Sequence, residues 1–115
     1  MRKIVKSLLT LMFVILICSP VFAHPAEKIE LKCDEAASAL DVSIVHPVKN
    51  TANHYISKIV VSVDGKVIEE KTLKFQTDPK TEQAVFEIKD LKKGSKIEVE
   101  ATCSVFGKLK GSIVI

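Results

Sequence analysis

From Glu27 onward the chain alternates apolar and polar residues with a period of two, the spacing of a β-strand with one buried face. The same stretch has no 3.6-residue period, so we expect no helix longer than a turn. The alternation predicts seven strands, at 27–33, 39–45, 55–63, 66–75, 83–89, 96–104 and 109–115. Seven short amphipathic strands in one small domain predict an all-β fold, a seven-stranded immunoglobulin-like antiparallel β-sandwich.

Turn residues separate the predicted strands. Asp64-Gly65 lies between two of them and is typical of a two-residue hairpin, because both central residues of a type I′ turn need positive φ. Gly94 marks a second tight turn. Residues 76–82, which include Asp78-Pro79, are predicted to form a polar loop.

The first 23 residues have a different pattern. Three basic residues precede an apolar run over 8–17, and Val21-Phe22-Ala23 follows it. This predicts a secretory signal peptide at 1–23, with cleavage after Ala23 and a periplasmic or secreted domain at 24–115. A membrane anchor is disfavoured because the run is shorter than the roughly 20 residues that span a bilayer. Acylation of Cys18 is the other alternative, and Ile17 fits it poorly.

Removal of the signal peptide changes the charge of the protein. The whole chain has 17 Lys and Arg against 14 Asp and Glu, and the three basic residues of the first 23 leave with the signal, which leaves 14 of each sign. The neutral domain gives no reason to expect a nucleic-acid partner or, after cleavage, a membrane partner. Pairing of an edge strand with a second copy of the chain is compatible with the pattern.

The alternation places two candidate metal ligands on the core-facing side of strand ends. His46 is in register with the inward residues Leu40, Val42 and Ile44, and Cys103 is in register with Ile97, Val99 and Ala101. His54 comes just before the third predicted strand, and residues 47–53 would serve as a spacer between the two histidines. If these strand ends share one rim of the sandwich, imidazole and thiolate could converge there. The alternative for Cys103 is a disulfide with Cys33, which export permits.

Two separated stretches, "HPVKNTANHYISKI" with the following "VDGK" and "EVEATCSVFGKLKG", resemble the iron-binding domain of the superoxide reductase and desulfoferrodoxin family. The resemblance implies a seven-stranded immunoglobulin-like sandwich with a mononuclear non-haem iron, held by four histidines and one cysteine. An open coordination position on that iron meets superoxide. By this resemblance His46 and His54 match two iron ligands, and Cys103 matches the thiolate ligand.

Two features depart from the family pattern. Phe106 occupies the position of the histidine in the family's Cys-x-x-His-Gly motif, and the only upstream histidine is His24. Cleavage after Ala23 would make His24 the first residue, with an α-amino group and an imidazole that could both bind a metal near neutral pH. The alternative for His24 is a disordered terminus.

Two functions are therefore open. The first is an exported metal-binding protein with iron, or copper, at His24, His46, His54 and Cys103, which would reduce superoxide with electrons from an unknown donor. The second is a non-catalytic binding or carrier module that has lost the iron site. No methionine remains after residue 23 for a blue-copper site. Hydrolase motifs such as GxSxG and HExxH are absent from the sequence.

Overall fold

The computed structural model describes residues 24–115, and the predicted signal peptide lies outside the described residues. Seven strands follow one another along this range: β1 Lys28–Asp34, β2 Ala39–Val45, β3 Ile56–Val63, β4 Lys66–Thr72, β5 Thr81–Glu87, β6 Lys96–Cys103 and β7 Lys108–Val114. They form a three-stranded sheet in the order β1-β2-β5 and a four-stranded sheet in the order β4-β3-β6-β7. All pairings are antiparallel, which confirms the predicted fold class.

Buried and exposed residues alternate along the strands, as apolar and polar residues do in the sequence. On β2 and β6 the inward residues are almost completely buried, and their neighbours are partly or fully exposed. The two inner faces pack together around an aliphatic core with one aromatic ring: Leu40, Val42, Ile44, Ile56, Ile59, Val61, Ala84, Phe86, Ile88, Ile97, Val99 and Ala101. Burial of these apolar side chains is the main source of stability for such a sandwich.

The predicted turns have the expected backbone geometry. Asp64 and Gly65 have φ values of 49° and 86°, and this hairpin joins β3 to β4. Gly94 has a φ of 89° in the turn before β6. These values confirm that the glycines supply conformations that other residues rarely adopt.

Two strand boundaries differ from the prediction by more than one residue at the β4–β5 connection. β4 ends at Thr72 instead of residue 75, and β5 begins at Thr81 instead of residue 83. The earlier start has a local cause, because Oδ1 of Asp78 accepts hydrogen bonds from the backbone N–H groups of Lys80 and Thr81 and turns the chain directly into β5. β5 also ends at Glu87, two residues before the predicted boundary.

The connection from β2 to β3 carries the chain from one sheet to the other. His46 follows β2, and His54 lies two residues before β3, so the two histidines come from strand ends in different sheets. Cys103 ends β6 and pairs with Ile56 at the start of β3. These ends meet at one rim of the sandwich, which is the condition that convergence of the candidate ligands requires. Over residues 24–115 the structure has no helix long and apolar enough to cross a membrane.

Candidate metal centre

Three histidines meet at this rim. Each can supply one ring nitrogen so that the three atoms all lie within 4.8 Å of one another. The ring centroids are 4.8 Å apart for His46 and His54, 5.1 Å for His24 and His54, and 5.3 Å for His24 and His46. Nitrogen ligands bound at about 2.0–2.1 Å from one ion are roughly 3–4 Å apart, so a small inward movement would bring these imidazoles to a common metal. We call these residues the histidine cluster.

His46 is held by a network that fixes its tautomer. The side chain of Gln76 donates from Nε2 to the backbone carbonyls of His46 and Asp78, at 2.8 Å each. Its Oε1 is therefore the acceptor for Nδ1–H of His46, 2.8 Å away. With the proton on Nδ1, the lone pair of the neutral ring lies on Nε2.

Nε2 of His46 is an unsatisfied buried atom. The His46 side chain is completely buried, and within residues 24–115 its Nε2 has no hydrogen-bond partner. A buried polar atom without a hydrogen-bond partner destabilises the folded state, and such atoms are rare in native structures. Since the neighbouring groups are imidazoles that also offer ring nitrogens, a metal ion is the partner that fits this atom best.

The loop over 47–53 is internally hydrogen-bonded and orients His54. Asn50 accepts from the backbone N–H of Ala52 through its side chain, and its backbone carbonyl accepts from the N–H groups of Asn53 and His54. The loop is tied to the β4–β5 connection because the N–H of Gln76 donates to Thr51. The predicted spacer is thus an ordered turn that brings His54 beside His46.

The surroundings of His54 favour its neutral form. Burial lowers the pKa of His54, and the neighbouring imidazoles of His46 and then His24 lower it further; a hydrogen bond with the backbone of His24 acts in the opposite direction. A lowered pKa keeps the imidazole of His54 unprotonated in more acidic solution than a free histidine. The neutral form is the one that binds metal ions.

Cys103 lies next to the cluster. It is only 4% exposed, its Sγ is 3.2 Å from Nε2 of His54, and the backbone N–H of Val105 donates to the same sulfur at 3.4 Å. The thiol falls outside the set of three mutually close nitrogen atoms and contacts it through His54. The sulfur therefore lies within hydrogen-bonding distance of one ring of the histidine cluster.

The structure argues against a disulfide between Cys33 and Cys103, because both cysteines are free thiols. Cys33 pairs with Leu40 near the far end of β1, five residues from Lys28 at the site end of that strand. At about 3.3 Å per residue this separation is roughly 17 Å, beyond the reach of a disulfide. Burial, then the charges of Glu35 and Asp34, raise the pKa of Cys33, which keeps it a protonated thiol and a poor ligand.

His24 reaches the cluster as part of an ordered segment. Its Nδ1 lies 2.9 Å from the carbonyl oxygen of Pro25, so Nδ1–H donates there and Nε2 is left as the metal-binding atom. A chelate ring through the α-amino group would need Nδ1 instead. In this arrangement His24 offers Nε2 as a donor, and the two-donor terminus, which needs cleavage after Ala23, stays a prediction.

Phe106, in the position of the remaining family histidine, offers no donor and is 63% exposed. The structure thus brings together the four residues predicted as ligands and adds none from that position. Gln76 is the functional residue that the sequence did not reveal. Its position in a polar loop gave no periodic signal.

The comparisons with known proteins agree with this architecture. No protein-family model and no curated protein matches the chain. Among solved structures, the superoxide reductase (1Fe-SOR) from Giardia intestinalis has a TM-score of 0.63 at 19% identity, over 80% of this chain and 100% of that chain. A hypothetical protein from Pyrococcus horikoshii has a TM-score of 0.53 at 21% identity, over 85% of this chain and 94% of that chain.

A superoxide reductase (neelaredoxin) from Ignicoccus hospitalis also matches, with a TM-score of 0.47 at 15% identity over 75% of this chain and 77% of that chain. The protein is a seven-stranded β-sandwich with a histidine cluster at one rim. It shares its fold with the superoxide reductase from Giardia intestinalis, which confirms the resemblance noted in the sequence at the level of the fold.

Proposed function

We propose that the protein is an exported metal-binding protein that holds one iron ion between Nε2 of His46, the imidazoles of His24 and His54, and the thiolate of Cys103. The observation that carries this proposal is the buried Nε2 of His46, which has no hydrogen-bond partner among the described residues and borders two further imidazoles. Three imidazoles with one thiolate form a donor set suited to iron(II), copper or zinc.

Iron is the preferred metal in this proposal for two reasons. The fold is shared with the superoxide reductase (1Fe-SOR) from Giardia intestinalis. By the sequence resemblance, His46, His54 and Cys103 match ligand positions of the superoxide reductase family. Copper is the alternative, since it binds nitrogen-rich sites more tightly than iron(II) does. Export rests on the amino-terminal sequence, with residues 24–115 as the processed protein.

Bound iron would supply the one electron that converts superoxide, with two protons, to hydrogen peroxide. The chain's own residues would admit the anion. A cavity of about 520 Å³ is lined by His24, Pro47, Val48, Lys49, Asn50 and His54. The ammonium group of Lys49 would raise the local concentration of a small anion beside the histidine cluster. An external one-electron donor is then the partner that this reaction requires.

A second function is favoured by Phe106. The family pattern has a histidine at this position, whereas Phe106 is an exposed side chain with no donor atom. A site with one imidazole fewer can still bind a metal without turning over superoxide. The protein would then act as a metal-binding module, and a superoxide assay on the iron-loaded protein separates the two functions.

The proposed ligand set predicts a different outcome for each cysteine. Residues 24–115 contain all seven strands and the core, and we expect them to bind one equivalent of cobalt(II) with a sulfur-to-metal charge-transfer band. The band should disappear in Cys103→Ser, because the sulfur beside His54 is lost. It should persist in Cys33→Ser, since Cys33 lies at the other end of the sandwich. Absorption spectra during the titration provide the measurement.

The same samples test the activity. If the iron(II)-loaded protein consumes superoxide and Cys103→Ser does not, the reductase function is supported. If iron binds and superoxide is untouched, the metal-binding module is the function. Failure of the wild type to bind cobalt(II), zinc or iron(II) would remove the basis of the proposal.

A further inference from the structure

The segment over 24–27 is fixed to the sandwich at three points. Pro25 packs against Gly107, Ala26 is only 4% exposed, and the backbone N–H of Glu27 donates to Val45 at 2.8 Å. These contacts continue directly into β1. His24 is therefore delivered to the histidine cluster by a docked segment, which we call the amino-terminal strap.

The contact between Pro25 and Gly107 is too close for any larger residue. A Cβ atom placed on Gly107 would lie 2.9 Å from Cβ of Pro25, 3.2 Å from its Cγ and 3.3 Å from its Cδ. The proline ring cannot rotate away as a flexible side chain would. Ala26, the next residue, is buried and holds that side of the strap in place. A side chain at position 107 would therefore displace the start of the strap, where His24 lies.

Gly107 also lies in the turn that carries Cys103. Its carbonyl oxygen accepts a hydrogen bond from the backbone N–H of Cys103 at 2.9 Å, and its φ is 87°. Gly107 thus faces the amino-terminal strap on the side where a Cβ would lie and contacts the end of β6 through its carbonyl. The segment that carries His24 and the strand end that carries Cys103 are therefore both in contact with Gly107.

We propose that Gly107 is a positioning residue of the metal site, which acts through Pro25 to hold His24 against His46 and His54. The inference rests on the proposed metal-binding function. The contact between Pro25 and Gly107 fixes the imidazole of His24 and thereby sets the metal affinity. Replacement of a residue that orients a metal ligand commonly changes metal affinity by about 10–100-fold.

Gly107→Ala tests this inference, and Gly94→Ala is the matched control. Both glycines have positive φ, 87° and 89°, so both substitutions carry the same backbone cost. A Cβ at Gly94 would meet nothing within 4 Å, and Gly94 precedes β6 at the end away from the cluster. We expect cobalt(II) affinity to fall about tenfold in Gly107→Ala and to stay at the wild-type value in Gly94→Ala.

A double-mutant cycle shows whether the effect passes through His24. In a His24→Ala background, Gly107→Ala should cause no further loss of affinity, because the ligand that it displaces is already absent. The charge-transfer band of Cys103 should persist in all of these variants. Pro25→Gly removes the same contact from the side of the strap and leaves the turn at Gly107 unchanged. It should weaken cobalt(II) binding in the wild-type background. In the His24→Ala background it should have no further effect.

The outcomes separate this inference from the metal-binding proposal. Equal affinities for Gly107→Ala and Gly94→Ala, or an undiminished loss in the His24→Ala background, would overturn the role of Gly107 and leave the metal site intact. If Gly107→Ala fails to fold, the Pro25→Gly cycle decides the question alone. No binding by the wild type would overturn both proposals.

Discussion

Replacement of His46 by asparagine is expected to weaken metal binding strongly while it preserves the fold. The asparagine amide reaches about as far as Nδ1 of the histidine, so it can still donate to Oε1 of Gln76. It has no atom at the position of Nε2, the buried atom that has no partner among the described residues. We expect the affinity for zinc or cobalt(II) to fall at least about 100-fold, because even loss of a supporting residue costs 10–100-fold.

Competition with a chromophoric chelator measures this affinity, and circular dichroism follows thermal unfolding of the metal-free variant. Asn53→Ala is the control from the same loop, since Asn53 is exposed and its replacement should leave the affinity unchanged. Wild-type affinity in a folded His46→Asn protein would show that Nε2 of His46 is not a ligand.

Replacement of Gln76 by leucine is expected to have the largest effect on stability. The amide of Gln76 satisfies the carbonyls of His46 and Asp78 and the Nδ1–H of His46, all within a side chain that is 2% exposed. Loss of a buried partner costs about 1–3 kcal/mol for each group left unsatisfied. We therefore expect the free energy of unfolding of the metal-free protein to fall by about 3 kcal/mol or more, a large share of the 5–15 kcal/mol that small domains typically have.

Urea unfolding of the metal-free protein provides the measurement, and Gln83→Leu on β5 is the matched control because that glutamine is exposed. Gln76→Leu should also weaken metal binding, since the ring of His46 loses the acceptor that fixes its tautomer. Equal free energies of unfolding for Gln76→Leu and Gln83→Leu would show that the hydrogen bonds of Gln76 do not stabilise this rim.

The sequence contained most of the information about the fold. The period-two alternation marked the strands, and Asp64-Gly65 marked the β3–β4 hairpin, because both signals depend on residues close together in the chain. The same alternation indicated that His46 and Cys103 face inward, and both are buried. The residues at strand ends were therefore predictable as candidates for one site.

Other parts of the site depend on contacts between distant residues, which a local pattern does not encode. Gln76 bonds to His46 across 30 positions of the chain, and the predicted loop around it gave no sign that its side chain would be buried. Cys33 and Cys103 both follow an inward register, yet register alone does not tell that they lie far apart along their strands. The role of the strap depends on the approach of Pro25 to Gly107, which only the folded chain brings together.

The claim that one metal ion binds to three imidazoles and one thiolate at this rim can be tested through the ligands of the ion. The experiment is X-ray absorption at the zinc edge, on residues 24–115 with one equivalent of zinc. We predict three nitrogen neighbours at about 2.0–2.1 Å and one sulfur at about 2.3 Å, with the sulfur lost in Cys103→Ser. A shell of oxygen neighbours, or an unchanged spectrum in His46→Asn, would contradict the claim.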